Sequence, residues 1–148
     1  MKNIFQILGI AAIFLAFLTP QLSYGQVKIG DTHEGGIVFS LDGNGGGLIC
    51  AESDQSDGAN LDDAVKICED LAFNGYDDWY LPSMTEMRKM NAELFERLNF
   101  SLQEPGKSPA FYWTADKVAL TLYTKYDGYG FDGKSAEKLI RVRAIRAF

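Results

Sequence analysis

The stretch Asn74-Gly75-Tyr76-Asp77-Asp78-Trp79-Tyr80-Leu81-Pro82-Ser83-Met84-Thr85-Glu86-Met87 organises the chain. Gly75 supplies a residue free to take positive φ and close a preceding helix, and Pro82 biases Leu81 towards extended backbone. Ser83 followed three residues later by Glu86 spells a capping box, in which each side chain satisfies the other's orphan backbone N–H. The reading is a corner: one helix stops, Trp79 enters the core as an aromatic plug, and a second helix starts. Trp79, Pro82, Ser83 and Glu86 are therefore read as structural. Asp77 and Asp78 are adjacent, so in an extended segment they point to opposite sides and do not flank one bond as a glycosidase dyad does. They are read as carboxylates that bond loop N–H groups and set the turn.

Before the corner, Asn60 is a good N-cap, Asp62 and Asp63 suit the first turn of a helix, and Leu61, Ala64, Val65, Cys68, Leu71 and Ala72 share one face. That spacing predicts a helix ending near Phe73. Ile37–Leu41 and Leu48–Ala51 flank Asp42-Gly43-Asn44-Gly45-Gly46-Gly47, which predicts a β-hairpin. A helix–loop–helix calcium site is excluded there, because the twelfth position of such a loop is Ser53 rather than Glu. A phosphate loop is excluded because the Lys-Ser/Thr ending is missing. Gln26–Asp31 reads as a lead-in strand and Ser53–Gly58 as a loop.

After the corner, Met84, Met87, Met90, Leu94 and Leu98 keep helical spacing, and the methionines read as core filling. Asn99–Ala110, with Pro105, Gly106 and Pro109, reads as a loop. Phe111-Tyr112-Trp113-Thr114 reads as a buried strand with Trp113 structural, and Val118–Tyr123 alternates as a strand. Asp127–Gly133 is a second glycine-rich reversal. Leu139–Phe148 reads as one long strand near the middle of the sheet. On it Arg141 and Arg143 share a face, Arg143 is assigned a structural role, and Arg141, Arg143 and Arg146 are expected to pair with the chain's own carboxylates. The elements add up to an α+β domain, two helices packed on a mostly antiparallel sheet with long loops.

The first 25 residues have the outline of a secretory signal peptide: Lys2, an apolar block Ile7–Leu18, then Ser23 and Gly25 flanking Tyr24. The block is shorter than the roughly 20 residues a spanning helix needs. Residues 1–25 are accordingly read as a signal peptide, residues 26–148 as a single exported domain without a transmembrane segment, whether periplasmic, secreted or at the cell surface. Removing Lys2 takes the formal charge from −6 to −7. An acidic domain of this kind is a poor partner for nucleic acid, which demands clustered Lys and Arg. In an oxidising compartment Cys50 and Cys68 form a disulfide on one reading, and on the other pack as two small apolar residues. Two cysteines and the single histidine, His33, read as a loop residue, make no zinc set, and no nucleophile–base pairing is defensible, so neither metal, cofactor nor catalysis is expected.

The stretch with the character of a recognition surface is the late aromatic one. Tyr123, Tyr126, Tyr129 and Phe131 with Asp127 and Asp132 combine flat rings and orienting polar groups, the mixture that recognises sugars or protein surfaces. The segments Lys28-Ile29-Gly30-Asp31, Gly35-Gly36-Ile37-Val38-Phe39, Asp42–Leu48, Ser53-Asp54-Gln55-Ser56, Asn74–Trp79 with Leu81-Pro82-Ser83, Tyr112-Trp113-Thr114 and Val142–Phe148 resemble, in order, the Lcl C-terminal domain family, which includes the Fibrobacter major paralogous domain. The resemblance implies a compact C-type-lectin-like domain of an exported bacterial protein, and in its namesake a trimeric surface adhesin that binds sulfated glycosaminoglycans. The calcium-lectin sugar motif is missing, since Glu104-Pro105 is followed by Gly106. The expectation is a non-catalytic lectin-like domain that binds a glycan or surface protein, alone or as an oligomer; the alternative is an envelope assembly protein whose loops contact partner subunits.

Overall fold

The computed structural model describes residues 26–98, 111–121, 131–132 and 140–148, with the backbone alone described at 95–96, 120–121 and 131–132. It is an α+β arrangement of two sheets and two helices. The first sheet joins β1 (Thr32–His33), β2 (Gly36–Leu41), β3 (Gly47–Ala51) and β9 (Ile145–Ala147) in that order. The second joins β4 (Ser56–Ala59), β8 (Ile140–Val142), β5 (Phe111–Trp113), β6 (Val118–Thr121) and β7 (Phe131–Asp132). All recorded pairings are antiparallel except β5 with β8.

The β2–β3 hairpin forms as its sequence predicts. Asp42 Oδ1 accepts the N–H groups of Asn44 (2.7 Å) and Gly46 (3.0 Å), so the glycine-rich loop is an Asx-stabilised turn. Alternation along these strands sends side chains to two separate cores. Val38, Ile49 and Ala51 pack with Trp79, Trp113, Val142 and the α1 residues Ala64 and Cys68, where α1 is Leu61–Glu69. Ile37, Phe39 and Cys50 pack with Tyr112, Ile145 and the helical residues Met87, Met90 and Leu94. The first sheet is thus covered on both faces, and each fully buried Ile, Val or Phe contributes about 1.5–3 kcal/mol.

This two-sided burial corrects the disulfide reading. Cys50 and Cys68 are both free and buried, Cys50 in one core and Cys68 in the other. Each packs as a small apolar side chain.

α1 is capped by Asn60, whose side chain accepts from Asp63 N at 2.9 Å. It ends at Glu69, earlier than the expected Phe73. Gly75 does not close it. Phe73 and Tyr76 instead exchange backbone hydrogen bonds of 2.9 and 3.1 Å, with Asn74 at φ 53° and Gly75 at φ 84° between them. Two successive positive φ angles make a primed turn, for which Asn-Gly is the favoured pair. α2 (Met84–Met90) begins with the expected capping box: Ser83 N and Oγ donate to Glu86 Oε2 at 2.8 and 2.7 Å, and Ser83 Oγ accepts from Glu86 N at 3.3 Å. The predicted helix through Leu98 continues past α2 as a π-helical stretch, Asn91–Arg97.

Three further expectations are corrected. Gln26–Asp31 is not a strand; the first strand is Thr32–His33. Ser53–Gly58 is not loop throughout, since its last three residues belong to β4. The single strand Leu139–Phe148 is broken at Arg143-Ala144, β8 lying inside the second sheet and β9 at an edge of the first. The break is satisfied by the loop after β3: Ala51 N donates to Ala144 O (3.0 Å), Ala144 N to Gln55 Oε1 (2.6 Å), and Arg143 Nη1 to Ala51 O (2.8 Å). Among the described residues no helix is long and apolar enough to cross a membrane.

Candidate functional site

The three arginines expected to pair internally do so, in two clusters. In the first, the carboxylate of Asp54, from the β3–β4 connection, accepts from Arg141 Nη1 on β8 (3.0 Å), from Arg143 Nη2, and from the Tyr112 hydroxyl on β5 (3.2 Å). Arg143 is 1% exposed and Asp54 12%, so the charge–charge attraction is screened little by water. Arg143 also lies over the Tyr112 ring at 5.9 Å. Burial, followed by the negative Asp54, pushes the Tyr112 phenol above its ordinary pKa. The cluster ties the β3–β4 loop to two strands of the second sheet.

In the second cluster Arg146, on β9, donates through Nη1 to Glu34 Oε2 (2.7 Å) and through Nε to Asp78, while its guanidinium stacks 3.6 Å from the Tyr76 ring centroid. Asp78 is 57% exposed and Glu34 32%. The hydrogen bond from Arg146 holds the Glu34 carboxyl below its ordinary value, against a smaller opposing effect of desolvation. The expected task of Asp77 and Asp78 in setting the turn is corrected by this geometry: the turn closes through backbone bonds, and Asp78 serves a residue 68 positions away.

Among the described residues, both thiols, His33 and Glu86 are engaged in packing or hydrogen bonds. Burial pushes the Cys50 thiol up to about 12, and burial together with Glu69 does the same to Cys68. His33 lies on β1 rather than in a loop, its ring edge-on to Phe148 at 4.6 Å. Glu86 is taken by the capping box and by the Tyr80 hydroxyl at 2.9 Å. Among the described residues no group of three or more His, Cys, Asp or Glu side chains is arranged to hold a metal ion.

The structural residues of the corner sit as assigned. Trp79 is 2% exposed and Pro82 is buried, with Pro82 O accepting from Ala115 N at 2.8 Å. Trp113 is buried and its indole N–H donates to Ala59 O at 2.7 Å, whereas the buried indole N–H of Trp79 has no acceptor among the described residues. Trp79 contributes through its apolar area.

Of the predicted ligand-binding residues, Tyr123, Tyr126, Asp127 and Tyr129 lie outside the described residues. Phe131 and Asp132 form β7, paired with β6 through Ala119↔Phe131 and Val118↔Asp132. They are therefore strand residues, and 122–130 connects two strands that pair with each other. A feature that the sequence reading missed is an open groove of about 700 Å³ between β4 and α1, lined by Ala59, Asp63, Lys66, Ile67, Asp70 and Leu71 among others. On its helical side, residues 63, 66 and 67 follow i, i+3, i+4 spacing on α1, while Asp70 and Leu71 come just after the helix end. Compared with known proteins, the chain matches no family model, and no curated protein is significantly similar to it.

Proposed function

We propose that this is an exported, non-catalytic binding domain of lectin-like type, recognising carbohydrate or another surface ligand through the aromatic stretch from Tyr123 to Asp132. The observation that carries the reading is that the strands on either side of residues 122–130, β6 and β7, pair with each other next to β5, whose Tyr112 and Trp113 are buried. Flat rings beside carboxylates supply contact area and orientation at low conformational cost. The remaining polar chemistry supports the same reading: the arginines are held by Asp54, Asp78 and Glu34, and both thiols are buried in apolar cores.

A glycan array probed with the purified protein tests it. Saturable binding to a defined glycan class, lost in Tyr126→Ala and Tyr129→Ala while thermal stability is kept, is the expected result. Silence across the array, or binding indifferent to both substitutions, would overturn it.

A further inference from the structure

We propose that Asn44 is a site of spontaneous deamidation that loosens the Gly47–Phe148 pairing, and that the fold protects Asn74 from the same reaction. The chain contains two Asn-Gly pairs, Asn44-Gly45 and Asn74-Gly75, and all four residues are exposed. The reaction consumes only water. At the first pair, Gly45 N loses its proton and attacks Asn44 Cγ. An N–Cγ bond forms, the Cγ–Nδ2 bond breaks, and Nδ2 leaves with that proton as ammonia. Water then opens the cyclic imide at either carbonyl, leaving aspartate or isoaspartate at position 44. A following glycine favours the step because it has no side chain to obstruct its nitrogen.

Among the described residues neither Gly45 N nor Gly75 N has an acceptor, so exposure and nucleophile do not separate the pairs. The freedom of the asparagine to swing Cγ onto that nitrogen does. Asn74 and Gly75 are the central residues of a primed turn closed on both sides by the Phe73–Tyr76 hydrogen bonds, and turning the Asn74 backbone breaks both. The Asn74 side chain is held as well, since a Cβ added to Gly35 would lie 2.3 Å from Asn74 Nδ2. Arg146 fastens that turn by stacking on Tyr76 and bonding Asp78 and Glu34. Asn44 stands instead between glycines, and a Cβ added to Gly43 or Gly45 would meet nothing within 4 Å. Two bonds cross it, Asp42 N to Gly46 O and Gly46 N to Asp42 Oδ1, the second to an exposed side chain that moves with the loop. The product places a new carboxylate two residues from Asp42, and isoaspartate adds a carbon to the backbone. That loop leads directly into Gly47, which exchanges two backbone hydrogen bonds of 3.1 Å with Phe148.

The test is peptide mapping by mass spectrometry during storage of the purified protein in mildly alkaline buffer, beside the same chain unfolded in guanidinium chloride. In the folded protein, position 44 is expected to react at least about tenfold faster than position 74, because reaction at Asn74 sacrifices two backbone hydrogen bonds. In the unfolded chain the two rates converge to within about threefold, since only the flanking residues then differ. Amide hydrogen exchange supplies the second readout: Gly47 and Phe148 exchange faster in protein modified at position 44 than in fresh protein. Asn44→Gln, stored alongside, keeps the exchange of fresh protein. Equal rates at the two positions in the folded protein, faster reaction at Asn74 or no reaction at Asn44 overturns the proposal. So does a rate ratio that survives unfolding, or exchange at Gly47 and Phe148 that modification leaves unchanged.

Discussion

Two arginine clusters lie a few residues apart on the carboxyl-terminal run and use the same chemistry in different surroundings. Around Asp54, Arg143 is buried and Arg141 half-buried, with a phenol and a backbone carbonyl completing the set. Around Arg146, the cation is buried but its acceptors are not: Asp78 is mostly exposed and Glu34 partly so. Removing one partner from a buried pair leaves an uncompensated charge out of water, while removing a solvated carboxylate lets water take its place. The first cluster should therefore behave as a structural cross-link and the second as a fastening of the Tyr76 turn.

The largest expected effect is that of Asp54→Ala, which strips the acceptor from two arginines and the Tyr112 hydroxyl. Urea unfolding should show a loss of about 3–5 kcal/mol; a loss under about 1 kcal/mol would erase the distinction between the clusters. Arg146→Ala comes next, at about 2 kcal/mol, because it removes both the ion pairs and the stacking on Tyr76. Ser83→Ala should cost about 1 kcal/mol by opening the capping box, a local loss that calibrates the other two. Asp78→Ala should cost less than about 1 kcal/mol, and less again at high salt.

The smallest effect is a pH dependence. The Glu34 carboxyl lies below its ordinary value of 4.5 in the folded protein, so its contribution is full above that value and is lost as pH falls through the lower folded one. Comparison of acid unfolding in the wild type and Glu34→Gln should show the difference in stability shrinking below about pH 4.5. A gap that widens with acid would contradict the assignment.

The same contrast explains what was legible in the sequence. Features set within a few residues were readable: the Asn60 cap, the Ser83–Glu86 box, the Asp42 turn, and the burial of Trp79 and Trp113. Features set by distant partners were not. Nothing in Leu139–Phe148 says that Arg143 turns to Ala51 and Asp54, and that turn is what splits one apparent strand between two sheets. The Asn74-Gly75 pair misled for a related reason, since positive φ serves a helix end and a primed turn equally, and only the Phe73–Tyr76 bonds decide between them. Cys50 and Cys68 had suitable chemistry for a bridge, but strand alternation delivers Cys50 to one core while Cys68 packs in the other. For the site, composition singled out Tyr123–Asp132. The α1–β4 groove needed the spatial meeting of a helix stripe with an edge strand.

The central structural claim is that the carboxyl-terminal arginines are scaffold, which supports placing recognition on other surfaces. The most direct measurement is a double-mutant cycle between Asp54 and Arg143, using Asp54→Ala, Arg143→Ala and the pair, followed by equilibrium urea unfolding. The account predicts a coupling energy of about 2–3 kcal/mol, with the double variant less destabilised than the sum of the singles. Additive losses within about 0.5 kcal/mol would contradict it and show that Asp54 does not hold Arg143 in place.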